Sequence, residues 1–313
     1  MIFRIIYIFS ISLLITSSNF GQENNKNISS QSFTVIDSIP FILTDHNNIS
    51  IQAIINEVDT VQLMLHRAAN SVSITKKGMK NINSISLGGS ENVKSWGGNS
   101  SSKFSTNNSI QIGKIINQNL TIWENKNSGP NTDGKFGLDL FEGLILEINF
   151  DKGRIFFHKK WNDALASKYG YEKLEVTLES GFLFINGKSL FNEKQVISKF
   201  LVHSGFGGSI LYDDQTTEKY QFSDNLKIIK ESQLKDSFGN IIKTKKAILP
   251  DFILANQKFT NVPIGFFEGS IGRQKMSVLG GDILKRFNII FDLKSTNIYL
   301  KPNSLMKTAF TDI

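Results

Sequence analysis

The sequence predicts an all-β fold made of two pseudo-symmetric lobes that contain only short helices. The first observation behind this prediction is a stretch that occurs twice, at residues 63–71 and 200–209. Each copy has an apolar run, a histidine, several small residues and a second apolar run. Such a pattern is typical of a buried strand that enters a tight loop. The chain has four histidines, so two at matched positions indicate a repeat.

The second observation is a longer unit that also occurs twice, at residues 137–157 and 280–300. Each copy predicts a short helix, a strand, a tight turn and a second strand. With a shift of 143 residues the apolar positions superpose, so that Phe141 falls on Leu284. The two histidines are 137 residues apart, and each precedes its own copy of the unit by a similar distance. The sequence therefore predicts an internal duplication.

The predicted domain boundaries follow from this duplication. They are a first lobe at 33–160, a connector of one helix and a turn at 161–171, a second lobe at 172–302 and a C-terminal tail at 303–313. Within the lobes, residues 87–108 are interpreted as a loop or hairpin, residues 109–113 and 120–123 as short strands, and residues 265–273 as a loop beside the cleft.

The N-terminus predicts export. Residues 1–21 have the positive start, apolar run and small polar end of a secretory signal peptide, and residues 22–32 form a polar linker. Because the apolar run is short for a membrane span, we expect cleavage and no stable membrane insertion afterwards. The mature chain is expected to be periplasmic or secreted.

Composition excludes several classes of site. The chain has 40% hydrophobic and 20% charged residues, which is typical of a globular protein. Its formal net charge is +7, but the lysines are scattered, so we expect a basic surface and no nucleic-acid partner. The absence of cysteine excludes disulfides, cysteine nucleophiles and thiolate metal sites. No motif indicates a cofactor, and none is expected.

The duplication predicts where a site should lie. Two similar lobes usually face each other across a pseudo-twofold axis, where equivalent loops can meet, and a cleft between lobes is a common ligand site. We therefore expect His66 and His203 to lie close together in an inter-lobe cleft.

At these residues the chain resembles the aspartic proteases of the retropepsin-like and pepsin-like superfamily, most closely the bacterial exported aspartyl-protease proteins. The resemblance rests on residues 63–71 and 136–141 in the first lobe and on residues 200–209 and 278–287 in the second. It implies a bilobal fold, a peptide-binding cleft and two aspartates that share a proton and activate a water molecule.

The chain departs from this family at the catalytic positions. His66 and His203 stand where the resemblance places the catalytic aspartates. The next two motif positions, which would contact substrate, are Arg67 and Ala68 in the first lobe and Ser204 and Gly205 in the second. A further candidate, Trp96, stands where the family has a flap over the cleft; the alternative is an ordinary packed loop aromatic.

Three hypotheses follow for the histidine pair. In the first, the protein is a degenerate homologue, a pseudoenzyme whose cleft binds a peptide, protein or similar ligand without cleaving it. In the second, His66 and His203 are a catalytic dyad. Two imidazoles of pKa about 6.5 that repel each other's charge would be protonated in separate steps, which leaves one acid and one base between the steps. Arg67 would then favour a negatively charged substrate.

The third hypothesis is a metal site. A catalytic zinc usually has three protein ligands, and nothing in the sequence brings His46 or His158 to the other two histidines. We therefore expect no metal. The first hypothesis is the one that the sequence favours, and a peptidase or other hydrolase that uses the histidine dyad is the alternative.

Overall fold

The computed structural model of the chain describes residues 34–95, 98–126, 128–235, 241–268 and 274–311. The predicted signal peptide at 1–21, the linker at 22–32 and the candidate Trp96 lie outside the described residues. Within the described ranges, no helix has the length and apolar character needed to cross a membrane.

The described residues form mostly β-strands. In the first part of the chain the strands are β1 (Val35–Pro40), β2 (Ile42–Leu43), β3 (Ile49–Ile55), β4 (Asp59–Leu65), β5 (Val72–Thr75), β6 (Gly89–Ser95), β7 (Gly98–Ile112), β8 (Ile115–Asn125), β9 (Gly134–Phe136), β10 (Ile145–Asn149) and β11 (Arg154–His158). In the second part they are β12 (Glu172–Leu174), β13 (Val176–Glu179), β14 (Phe182–Phe191), β15 (Lys194–Val202), β16 (Ile210–Leu211), β17 (Lys227–Lys235), β18 (Ile241–Leu254), β19 (Gln257–Glu268), β20 (Ser277–Leu279), β21 (Phe287–Asp292) and β22 (Asn297–Pro302).

The helices are short, as the sequence predicts. The α-helices are α1 (Asp163–Lys168), α2 (Asp214–Lys219), α3 (Phe222–Asn225) and α4 (Gly281–Leu284), and 3₁₀ helices cover Gly78–Asn81 and Leu138–Phe141. Helix α1 lies in the predicted connector. It begins after Asn162, whose side chain accepts a hydrogen bond from the Leu165 amide at 2.7 Å, which is a favourable N-cap.

The strand topology repeats. The first lobe has an eight-stranded sheet of order β2-β3-β4-β9-β5-β8-β7-β6, and the second lobe has one of order β13-β14-β15-β20-β16-β19-β18-β17. Every strand of the first sheet matches the strand eleven places later in the second. A six-stranded sheet of order β1-β11-β10-β21-β22-β12 takes three strands from each part of the chain, with β10 and β21 antiparallel at its centre. The predicted all-β fold with two similar lobes is confirmed.

The predicted shift of 143 residues also holds in the structure. The 3₁₀ helix at Leu138–Phe141 corresponds to α4 (Gly281–Leu284), and the start of β11 at Arg154 corresponds to the start of β22 at Asn297. Hairpin turns repeat as well. The pair at 56–57 has φ values of 49° and 61°, and the pair at 192–193 has 45° and 61°. Two successive positive φ values match the right-handed twist of the flanking strands, and both turns have the sequence Asn-Glu.

Two local predictions needed correction. The short strands expected at 109–113 and 120–123 are parts of the much longer β7 and β8. Residues 265–268, expected in a loop, are the end of β19, where they pair with β18. Cross-strand pairing extended these strands through polar and glycine-containing segments, because backbone hydrogen bonding does not depend on side-chain polarity.

The core continues through the six-stranded sheet. All six residues of β21 are buried, and their alternation places them on both faces of the sheet. On one face Phe287, Ile289 and Phe291 join the large core that both lobes share. On the other face Ile290 packs in a small cluster with residues of α1 and the connector. Because it is covered on both sides, this sheet supports both lobes.

The C-terminal tail is anchored by a buried guanidinium group. Arg286 is 1% exposed, and its nitrogen atoms donate to the backbone carbonyl groups of residues 305, 306, 308 and 309 at 2.7–3.2 Å. Its remaining donors reach Asp282, the second residue of α4. The tail therefore packs as part of the fold through Thr311, which donates to Asp282 as well.

Candidate functional site

The two histidine loops are built in the same way. Strands β4 and β15 each pair in parallel with a short strand from later in their lobe, β9 and β20. At the end of each strand the histidine amide continues the ladder: His66 donates to the Phe136 carbonyl at 2.9 Å and His203 to the Leu279 carbonyl at 3.0 Å. Each histidine carbonyl then accepts a bond from the amide three residues later. The loops are therefore structurally equivalent.

The structure brings the two imidazoles together. The ring centroids of His66 and His203 are 4.5 Å apart and the ring planes make an angle of 61°. Both side chains are half-buried. Gly205 makes room for this contact, because a Cβ atom at that position would overlap the His66 ring. The predicted juxtaposition of the histidines agrees with this geometry.

The surroundings disfavour the charged form of both rings. Burial lowers the pKa of His66 to about 3, and repulsion from His203 and Lys135 contributes. Burial also lowers the pKa of His203, with Lys135 adding to the effect. Desolvation penalises a cation, and nearby cations penalise it further. Both imidazoles are therefore neutral near pH 7. Their Nδ1 atoms are buried and have no hydrogen-bond partner among the described residues.

A serine hydroxyl ties the two loops to each other. Ser204 Oγ accepts a hydrogen bond from the Arg67 amide at 2.9 Å and donates one to the Leu65 carbonyl at 2.8 Å. Its backbone carbonyl accepts a bond from Asn48 Nδ2 at 2.9 Å. The second lobe thus supplies a side chain that pairs two backbone groups of the first lobe, which fixes the histidine loops relative to each other.

A second inter-lobe link comes from Asn47, which the sequence did not indicate. This residue is buried and has a φ of 59°, a conformation that asparagine adopts more readily than most residues. Its Nδ2 donates to the Gly207 carbonyl at 2.7 Å and to Thr311 Oγ1 at 2.8 Å, and its Oδ1 accepts from Lys285 Nζ at 2.8 Å. The sequence signal available for it was the Asn47-Asn48 pair, because asparagine is common in turns.

A cleft of about 880 Å³ opens beside the histidine pair. Both lobes and the tail line it, through Asp45, His46, Asn47, Asn48, Met64, His66, Ser128, Gly129, Pro130, Lys135, Gly205, Phe206, Gly207, Gly208, Leu211, Lys230, Ser232, Thr244, Lys245, Lys246, Gly265, Phe266, Phe267 and Thr311. Four of these residues are lysines. Asp45 is the only acidic one within the described part of the chain, and its side chain is exposed.

The structure distributes the predicted site residues over three places. His66 and Gly205 line the cleft. Arg67 and Ser204 line a separate, much smaller cavity, of about 20 Å³, together with residues of α4 and β21. Ala68 packs against an apolar cluster of the second lobe. Arg67, Ala68 and Ser204 are therefore absent from the residues that line the cleft. Ser204 joins the histidine loops and Ala68 packs between the lobes.

The other two histidines differ from each other. His46 is exposed and lines the cleft together with His66. The sequence did not predict this position for His46. His158 is 2% exposed, and its Nε2 lies 3.1 Å from Glu147 Oε2. Across the described ranges, no group of three or more histidine, aspartate or glutamate side chains is placed to hold a metal ion. Asp213 and Asp214 are adjacent carboxylates in the sequence. They lie at the start of α2, where Asp213 accepts a hydrogen bond from the Thr216 amide at 2.8 Å.

Comparison with known proteins places the fold. The chain is similar to the crystal structure of an aspartic proteinase from Irpex lacteus, with a TM-score of 0.58, 12% sequence identity, and coverage of 87% of this chain and 98% of that chain. No protein-family model matches the sequence, and no curated protein matches it. At this identity the likeness concerns the fold: two β lobes arranged as in a pepsin-like aspartic proteinase.

Proposed function

We propose that this protein binds an extended peptide, or a similar ligand, in the inter-lobe cleft and does not cleave it. In this proposal His66 and His203 occupy the positions at which an aspartic proteinase has its two catalytic aspartates. The cleft volume of about 880 Å³ lies within the range of about 300–1,000 Å³ common for ligand sites. The fold supports peptide binding by analogy with the similar structure from Irpex lacteus, which is an aspartic proteinase.

One observation carries the non-catalytic part of the proposal. The imidazoles of His66 and His203 meet where the two loops join, and the cleft beside them has no pair of carboxylates among the described residues. Aspartic proteinases depend on two adjacent carboxyl groups that share a proton, because two close carboxylates cannot both ionise. The single acidic lining residue, Asp45, is exposed and cannot supply that pair.

The alternative, a histidine dyad that catalyses hydrolysis, has less support. A general base works best when its pKa lies near the working pH. Burial, together with nearby charges, lowers the pKa of His66 to about 3 and also lowers the pKa of His203. A neutral ring with so low a pKa takes up a proton poorly near pH 7. Because the ring centroids of His66 and His203 are 4.5 Å apart, the experiment tests this alternative directly.

The test combines binding with turnover. A fluorescein-labelled pool of random octapeptides is titrated with the purified chain, and binding is followed by fluorescence anisotropy. Thr244→Trp fills the cleft from β18 and should abolish binding. Thr260→Trp is the matched control, because Thr260 is an exposed threonine on the neighbouring strand β19, outside the cleft. The same pool is assayed for cleavage from pH 4 to pH 8, with His66→Ala and His203→Ala beside the unmodified chain.

Binding that Thr244→Trp abolishes and Thr260→Trp retains, without cleavage at any pH, is the expected result. No binding to the pool would refute the proposal. Cleavage that peaks near pH 6 and disappears in both histidine variants would establish the dyad. The protein would then be a hydrolase, and the proposed binding function would be wrong.

The proposal includes export to the periplasm or beyond. It is supported by the signal-peptide pattern of residues 1–21. Edman sequencing of the protein recovered outside the cytoplasm should begin near Gln22, and recovery of the uncleaved chain in the cytoplasm would contradict this part.

A further inference from the structure

Lys135 is a cation in the cleft for which no described residue supplies a counterion. It lies in β9, lines the cleft near the histidines and is half-buried. It forms no ion pair with any described residue, whereas Lys245 in the same cleft has Glu268 at 2.7 Å and Glu231 at 3.6 Å. Partial burial lowers the pKa of Lys135, because removing a cation from water is unfavourable when nothing neutralises it. An anionic partner would remove this cost.

Two more lysines face the cleft from the second lobe. Lys230 of β17 and Lys246 of β18 are directly opposite each other in the antiparallel ladder, and both line the cleft. Directly opposed residues share one face of a sheet. The next pair on that face, Ser232 and Thr244, also lines the cleft. This face therefore presents two cations and two hydroxyl groups to whatever occupies the cleft.

We propose that the ligand of this cleft is an acidic peptide, in which a glutamate or aspartate side chain pairs with Lys135 and further acidic residues face Lys230 and Lys246. The inference rests on the proposed function, since it names the class of peptide that the same cleft binds. Charge complementarity carries it: lysines line both walls, and Asp45 is the only carboxylate that lines the described part of the cleft.

The geometry assigns different tasks to Lys135 and Lys230. Lys135 is half-buried, so its pairing with a ligand carboxylate is shielded from water and contributes to affinity. Lys230 is exposed, so it acts mainly on the association rate and responds to salt. His66, the member of the histidine pair that lines the cleft, adds no charge near pH 7, but the N–H group of its neutral ring can donate a hydrogen bond to a carboxylate.

The experiment uses two matched peptide pools on the full chain. Both contain random octapeptides with one fixed central position, which is glutamate in one pool and glutamine in the other. The variant Lys135→Met removes the charge and keeps the side-chain length. The control Lys188→Met removes an equally half-buried strand lysine that lies outside the cleft and has no ion pair among the described residues. Dissociation constants are measured by fluorescence anisotropy.

The expected result is that the glutamate pool binds about tenfold more tightly than the glutamine pool, and that Lys135→Met removes this difference while Lys188→Met retains it. Equal affinity for the two pools, or a preference that survives Lys135→Met, would overturn the inference and leave the proposed function standing. Binding of neither pool would overturn both. Binding of polygalacturonate with neither peptide pool bound would replace the peptide with an acidic polysaccharide.

Discussion

Lowering the pH from 7 to 5 should reduce the stability of this protein, because folded His66 resists protonation. Burial and the nearby charges of His203 and Lys135 lower the pKa of His66 to about 3, whereas a histidine in the unfolded chain has a pKa of about 6.5. Between these values the unfolded state binds a proton that the folded state does not. The free energy of unfolding is therefore unaffected above pH 6.5, falls as the pH drops toward 3, and levels off below that.

The size of the effect follows from the shift. Each pH unit between the two pKa values costs about 1.4 kcal/mol, so His66 alone should lower the free energy of unfolding by about 2 kcal/mol between pH 7 and pH 5. Burial also lowers the pKa of His203, which adds to the loss in the same direction. The variant His66→Gln cannot be protonated in either state, so its loss over this pH range should be smaller by about 2 kcal/mol.

Urea unfolding at pH 7 and pH 5, followed by circular dichroism, measures these differences. His46→Gln is the control, because it removes a histidine whose side chain is exposed in the folded protein. Nitrogen-15 NMR of the imidazoles should find His66 neutral at pH 5. A His66→Gln variant that loses as much stability as the unmodified chain, or a ring that titrates near pH 6.5, would refute the reasoning.

Three further changes test how the site and the tail are built. Ser204→Ala removes the hydroxyl that joins the histidine loops and should lower the free energy of unfolding by about 2–4 kcal/mol, since two backbone groups lose their partner. Ser204→Thr keeps the hydroxyl and should restore most of this in the same urea assay; an equal loss in both variants would contradict the bridge. Gly205→Ala places a Cβ against the neighbouring imidazole and should cost about 1–3 kcal/mol, whereas Gly88→Ala, with open space around it, should cost less than about 0.5 kcal/mol. Similar melting temperatures for the two alanine variants would show that the ring is not packed as described. Arg286→Met should expose the C-terminal tail to limited proteolysis read by mass spectrometry, and Arg154→Met, which loses bonds only to an edge strand, should not. Equal protection of the tail in both arginine variants would argue against the anchor.

Local, repeated patterns explain what the sequence predicted well. The strand at Arg154–His158 and its counterpart at Asn297–Pro302 are apolar runs after tight turns, and each pattern is complete within a few residues. The contact between His66 and His203 was also predictable. It needs only the premise that equivalent loops of two similar lobes meet at their pseudo-axis.

Long-range register explains what the sequence did not predict. Asn47 reaches the Gly207 carbonyl, 160 residues away in sequence, and no local pattern encodes that contact. The opposition of Lys230 and Lys246 depends on how β17 and β18 pair, including an irregularity just before Lys230. A shift of one residue in that pairing would move a lysine to the other face of the sheet.

The chemistry of the cleft arises where the two copies differ. Lys135 pairs with Met64 in the first lobe, and its counterpart Val278 pairs with Leu201 in the second. Val278 is buried in an apolar cluster against which Ala68 packs, whereas Lys135 faces the cleft. The position next to the histidine strand is therefore packed with apolar side chains in the second lobe, whereas in the first lobe it presents a lysine to the cleft.

The loop bridge differs between the copies in the same way. The Ser204 hydroxyl forms hydrogen bonds with backbone groups of the first lobe. Its counterpart in the first lobe is Arg67, which has no hydroxyl group to form the equivalent bonds with the second lobe. The repeated apolar and glycine positions specify the fold, because each must fit the same turn or core in both lobes. Under the proposed function the unrepeated positions select the ligand, because a peptide has no twofold symmetry and would contact the two lobes through different side chains. A lysine that interrupts an apolar strand in only one copy of a duplicated sequence is therefore the residue to test first for ligand binding.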